Sequence, residues 1–195
     1  MKADVVLAGV GGQGVLSVAV ILAEAGRRQG LQVKQGEVHG MSQRGGAVFA
    51  SVRLADAPID SDLVPRGSAD LLVGLEPLEA LRYVEFLGPG GILVTSADSM
   101  ENIPNYPPLE EVHRMVALVP DSVLVEAGAL AMEVGSPRAA NVVMVGAASV
   151  FLPLDADLVA ACVADGFAAK GERVAAINRR AFEAGRAAVA AAAAR

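Results

Sequence analysis

Six residues near the start of the chain, Gly9-Val10-Gly11-Gly12-Gln13-Gly14, constrain its fold more than any other feature. They follow Asp4–Ala8, a short β-branched and aliphatic run that predicts a buried strand. They precede Val15–Arg28, which is apolar nearly all round, with charge only at Glu24, Arg27 and Arg28. That stretch predicts a buried helix with a basic last turn and Gly30 as its stop. A Gly-x-Gly-x-x-Gly turn between strand and helix uses its first glycine for the tight turn. The second lets backbone approach a ligand, and the third lets the helix pack close to the strand. Amides at the helix start offer an anion site. Gly9, Gly11, Gly12, Gln13 and Gly14 are therefore the expected cofactor-binding residues. The same turn also serves compact strand–helix packing with no nucleotide, and that reading stays open.

The pattern repeats along the chain. Leu31–Gln35, Ala47–Leu54, Ala69–Gly74 and Ile92–Thr95 read as strands, and Ser122–Glu126 as a further one before a helix from Ala127. Glu76–Phe86 reads as a helix with Pro77 in its first turn, stopped by Leu87–Gly91. Asp155–Ala164 and Glu172–Ala194 read as helices, and Asn141–Leu152 as an apolar helix or strand. Strands alternating with helices predict an α/β fold, a single Rossmann-like three-layer domain over residues 1–195 with a mainly parallel sheet.

Composition excludes several function classes. The chain is 53% hydrophobic and 19% charged, enough to bury a sizeable core. Its net charge of −6 repels phosphate backbones, and with no Trp it lacks the usual stacking platforms, so no nucleic-acid partner is expected. Cys162 is the only cysteine, which excludes an internal disulfide, a cysteine-ligated iron–sulfur cluster or a structural zinc site built by this chain alone. His39 and His113 are too few for a His-based metal centre. No apolar stretch is long enough to span a bilayer, and the acidic, glycine-broken start does not resemble a signal peptide. The expectation is a cytoplasmic protein without a membrane partner.

The most unusual stretch is Glu37-Val38-His39-Gly40-Met41-Ser42-Gln43-Arg44-Gly45-Gly46, read as part of a loop over Gly36–Gly46. Arg44 can fork a carboxylate or phosphate, and His39 can move a proton near neutral pH. Loops carrying such groups between glycines are common places for binding sites. His39, Gln43, Arg44, Gly45 and Gly46 are the expected substrate-binding residues, with His39 and Arg44 assisting catalysis. The plainer readings are a surface salt bridge for Arg44, a satisfied side chain for His39 and turn chemistry for the glycines. Glu37 stands near the place of a ribose-binding acid, yet it opens a loop instead of ending a strand, which argues against a bound dinucleotide. Glu76, Ser96 and Asp98 follow predicted strands, where α/β sheets form ligand crevices, though Glu76 also suits a helix dipole. Asn141 reads as a helix cap or a ligand contact, His113 as solvated, and Cys162 as inert core.

Taken together, the two glycine segments resemble the gamma-type subunits of 2-oxoacid:ferredoxin oxidoreductases. The resemblance rests on Gly9–Gly14, Glu37-Val38-His39-Gly40-Met41 and Gln43-Arg44-Gly45-Gly46. It continues through Ala69-Asp70, Glu76-Pro77-Leu78-Glu79-Ala80, Pro89-Gly90-Gly91, Asn141, Gly146-Ala147, Asn178, Ala181-Phe182 and Gly185. The His-Gly-Met-x-Gln lead-in favours the indolepyruvate or aryl-pyruvate branch and its small, beta subunit. The resemblance implies a complex that oxidatively decarboxylates a 2-oxoacid to an acyl-CoA and passes electrons to ferredoxin. It implies thiamine diphosphate, magnesium and iron–sulfur clusters on larger partner subunits, CoA as co-substrate and no cofactor on this chain. The subunit is then expected to be inactive alone and to pair with itself when its partner is absent. The alternatives are a self-contained NAD(P)- or flavin-binding oxidoreductase and a purely structural assembly module.

Overall fold

The computed structural model describes residues 1–39 and 45–193, with His39 and residues 191–193 described by backbone alone. The strands are β1 (Lys2–Val10), β2 (Gln32–His39), β3 (Ala47–Ala55), β4 (Ala69–Gly74), β5 (Leu87–Ser96) and β6 (Ser122–Val125). The helices are α1 (Val15–Arg28), α2 (Pro77–Leu81), α3 (Leu109–Ala117), α4 (Ala127–Glu133), α5 (Ala140–Ser149), α6 (Ala156–Ala168) and α7 (Glu172–Ala193). The sheet order is β2-β3-β1-β4-β5-β6. β1, β4, β5 and β6 run parallel, whereas β3 is antiparallel to both β1 and β2. The expected α/β fold with a mainly parallel sheet is present, with β3 as its one reversed strand. A parallel β2–β3 pair needs a crossover of a dozen or more residues, and the connection spans only residues 40–46, so the two pair as a hairpin.

Side chains alternate across the sheet. Val5, Leu7, Leu71, Val73 and Val94 pack against α1, α5, α6 and α7. Val6, Ala8, Leu72 and Leu93 pack on the opposite face with Ala80 of α2 and Val116 of α3. That face also holds the ring cluster of Phe49, Tyr83 and Phe86, with Phe49 centroids 5.0 and 5.3 Å from the other two. Coverage on both faces explains why β1 and β4 read as unbroken apolar runs. The ambiguous segment after Asn141 is helical. A Cβ on Gly185 of α7 would lie 1.9 Å from the Val143 carbonyl of α5, so these two helices meet backbone to backbone.

Three departures from the sequence reading bear on the site. β2 runs through Gly36 and Glu37 to His39, with Glu37 opposite Ala50, where a loop was expected. Ladder hydrogen bonds to β3 outweigh the weak strand preference of Gly36. β5 begins at Leu87, because Leu87 pairs with Ala69 before a register shift brings Ile92 opposite Leu71. Gly88–Gly91 is thus a bulged start of the strand, and the preceding 3-10 turn already ends at Phe86. The expected helix over Glu76–Phe86 is split into α2 and a 3-10 turn at Val84–Phe86.

Candidate functional site

The two glycine segments, separated by more than twenty residues of sequence, meet at the carboxyl end of β1. The Gly11 N–H donates to the Gly46 carbonyl at 2.8 Å, and the Gly45 N–H donates to the Gly11 carbonyl at 3.2 Å. Gln13 is held within the turn: its Oε1 accepts the Val10 N–H at 2.8 Å and its Nε2 donates to the Leu75 carbonyl at 3.0 Å. A Cβ on Gly9 would lie 2.9 Å from that Oε1. Gly14 has φ +91° and N-caps α1, and a Cβ there would lie 2.5 Å from Asn141 Nδ2. Gly9, Gly11 and Gln13 therefore build the turn, and Gly12, Gln13 and Gly14 line a crevice. Of the second segment, His39 closes β2 opposite Val48, and Gly45 and Gly46 complete the seam. The His39 side chain, Gln43 and Arg44 lie outside the described residues.

The crevice has a volume of about 720 Å³. Gly12, Gly14 and Ser17 form one wall, Leu75 and Ser96 lie at strand ends, and Ser136–Asn141, Phe167, Lys170 and Asn178 close it. No side chain among the described residues caps the start of α1, which leaves its first amides to the crevice. Arg138 and Lys170 both line it and are exposed; among the described residues they form no ion pair and no acid lines the crevice. A chain of net charge −6 thus carries a locally cationic opening over an apolar floor that includes Met144 and Ile177. Asn141 lies in the first turn of α5 but makes no capping bond, contrary to the helix-cap reading; its Oδ1 is buried without a partner. Such an orphan acceptor is satisfied only when something with a donor enters.

A second cluster lies beyond β4. Glu76 is 1% exposed and N-caps α2, its Oε2 accepting the Glu79 N–H at 2.7 Å. The hydroxyl of Tyr106 donates to its other oxygen. Glu79 is 2% exposed, with Oε2 unpartnered and Oε1 3.4 Å from Arg82 Nε. Burial pushes the Glu79 carboxyl above the ordinary range, with Glu76 adding to the shift against the pull of Arg82. Burial and then Glu76 push the Tyr106 hydroxyl upward in the same way. Asn102 Nδ2 donates to the Gly45 carbonyl at 3.1 Å.

Other expected candidates are structural. Asp98 accepts the Ser96 hydroxyl at 2.9 Å and the Gly128 N–H at 2.7 Å, which fixes the start of α4. His113 is half-buried and hydrogen-bonded at 2.8 Å to the Ala97 carbonyl, so the solvated reading is corrected. Cys162 is buried, as the core reading requires. The sequence analysis did not single out Asn102, Tyr106, Arg138 or Lys170; the one local signal near Tyr106 is the prolines Pro104, Pro107 and Pro108, which disfavour regular structure. Strand order also bears on the dinucleotide alternative, in which the ribose-binding acid ends the strand beside β1. Here β3 occupies that place and Glu37 lies one strand farther out.

Residues 4–188 match the family model described as pyruvate ferredoxin/flavodoxin oxidoreductase. The chain belongs to that family. It is 41% identical over 152 residues to the indolepyruvate oxidoreductase subunit IorB of Pyrococcus horikoshii, covering 74% of this chain and 75% of that protein. Among solved structures it resembles the gamma subunit of keto/oxoacid ferredoxin oxidoreductase from Geobacter sulfurreducens, with TM-score 0.75, 28% identity and 98% of each chain covered. The 2-oxoglutarate:ferredoxin oxidoreductase of Magnetococcus marinus, solved with 2-oxoglutarate, coenzyme A and succinyl-CoA bound, shares the fold at TM-score 0.78. That match has 22% identity and covers 97% of this chain and 31% of the other. The family member described here is the small subunit of a multi-subunit 2-oxoacid:ferredoxin oxidoreductase, which implies larger partner subunits. No helix among the described residues is long and apolar enough to cross a membrane.

Proposed function

We propose that this chain is the small subunit of an indolepyruvate or other aryl-pyruvate:ferredoxin oxidoreductase, and that its glycine seam and crevice complete the site where the 2-oxoacid becomes an acyl-CoA. The observation that carries this reading is the convergence of the two glycine segments beside a crevice with a cationic opening. The relationship to an indolepyruvate subunit supports the choice of substrate. Arg44 supplies a fixed cation and Gln43 an amide donor for carboxylate or phosphate, and His39 donates to a developing oxyanion or relays a proton. Gly12 and Gly14 let backbone approach the ligand, and Arg138 and Lys170 attract the phosphates of CoA.

Thiamine diphosphate with magnesium and the iron–sulfur clusters belong, in this reading, to the larger partner, where the diphosphate cofactor supplies carbanion stabilisation when bound. The complex works in the cytoplasm and reduces ferredoxin. Purified alone, the chain has no 2-oxoacid oxidation activity and pairs with itself through apolar surface. Arg44→Ala tests the reading in the assembled complex. It slows single turnover of the aryl pyruvate while assembly, followed by native mass spectrometry, stays intact. Normal turnover in that variant removes Arg44 from the site, and weakened assembly with a full rate per complex makes it an anchor for the partner.

A further inference from the structure

Residues 99–108 have neither helix nor strand, yet they cross the carboxyl end of the sheet tied at two points. At one, Asn102 Nδ2 donates to the Gly45 carbonyl at 3.1 Å. At the other, the Tyr106 hydroxyl donates to the fully buried carboxylate of Glu76. Pro104, Pro107 and Pro108 restrict the backbone between and after these ties. The choice of Glu76 itself points to the segment. Ser, Thr, Asp or Asn caps a short helix well, and Glu is not among the preferred caps. The longer carboxylate satisfies α2 with one oxygen and still reaches Tyr106 with the other. Gly45 is the residue whose N–H closes the seam to Gly11, so the Asn102 contact acts directly on the seam.

We infer that Asn102 and Tyr106 are positioning residues: with Tyr106 anchored on Glu76 and Asn102 bound to the Gly45 carbonyl, they hold residues 99–108 against Gly45 and so keep the Gly11–Gly45/Gly46 seam in register for ligand. Neither side chain touches the reacting atoms in this arrangement. Their effect passes through the Gly45 carbonyl and the two backbone hydrogen bonds of the seam. The consequence for turnover rests on the proposed function, whereas the consequence for the seam does not.

Amide hydrogen exchange on the intact chain and steady-state kinetics of the assembled complex separate these two levels. Asn102→Ala and Tyr106→Phe are each expected to speed exchange at the Gly45 and Gly11 amides about five- to tenfold, the scale of one lost hydrogen bond. Amides of Val6 and Leu72 in the sheet centre keep their protection. In the complex, KM for CoA rises several-fold while kcat at saturation is retained. Unchanged exchange at the seam in both variants overturns the inference. So does exchange that rises equally at Val6 and Leu72, which marks a general loss of stability. A loosened seam with KM unmoved for both CoA and 2-oxoacid leaves the brace standing and refutes the proposed role of the seam in the reaction. Asn102→Gln, which keeps a carboxamide donor, recovers part of the protection that Asn102→Ala loses.

Discussion

Two buried acids at opposite ends of the sheet have opposite surroundings. Asp4, near the start of β1, is 1% exposed and fully engaged. Arg53 approaches it with Nε at 2.7 Å and the second nitrogen at 3.1 Å, and Lys2 Nζ lies at 2.8 Å. Burial raises its carboxyl, but Arg53 and Lys2 together outweigh that and hold it below the ordinary range. Glu79, beyond the end of β4, is as deeply buried and has an oxygen with no partner, so its carboxyl is raised. One end has spent its polar groups on the fold. Among the described residues, the other keeps polar atoms without partners at Glu79 and Asn141, an α1 without a side-chain cap, and Arg138 and Lys170 outside any ion pair. Unsatisfied polar groups cost stability, so their concentration at the carboxyl end supports the proposed use of that end for ligand.

The contrast predicts graded consequences. The largest is at the satisfied end: Arg53→Ala leaves Asp4 buried with Lys2 alone and is expected to cost about 3 kcal/mol in denaturant unfolding. Asp4 carries its stabilisation above its unfolded value of 3.8 and loses it as pH falls through the lower folded value. Asp4→Asn therefore shrinks the acid-induced drop in stability at low pH; an unaltered acid limb would show that the pair adds nothing. Next comes Gly14→Ala, which forces a side chain into φ +91° and onto Asn141. A loss of about 1–2 kcal/mol is expected, together with weaker CoA binding by the complex.

At the unsatisfied end the sign reverses. Glu79 has a folded value raised above the ordinary 4.5, so its contribution is present below that value and is lost as pH rises through the folded one. Glu79→Gln is expected to raise stability at pH 7 by about 1 kcal/mol and to leave it nearly unchanged at pH 4. Thermal melts across that range check it, and a variant less stable at pH 7 than at pH 4 relative to the parent contradicts it. The smallest effect on folding is at the crevice opening. Arg138→Ala should change stability by less than about 0.5 kcal/mol, yet raise KM for CoA in the complex, more so at low salt. A KM that does not move separates Arg138 from the ligand.

Local chemistry alone determined much of this protein. Asp4–Ala8, the glycine turn and Val15–Arg28 became β1, the turn and α1, because apolar periodicity and glycine placement act within a few residues. The second glycine segment was equally visible as unusual chemistry, and its family resemblance was carried by contiguous residues. Tertiary structure decided which groups meet. It put β3 in reverse between β2 and β1, joined Gly11 to Gly45 and Gly46, and turned Gln13 inward to Leu75. It also set Tyr106 on Glu76, thirty positions away, and gave Asp4 the guanidinium of Arg53 while leaving Glu79 an oxygen unpaired. Periodicity carries no information about partners so distant in the chain; burial and hydrogen-bond satisfaction are settled only when strands align and the helices close over them.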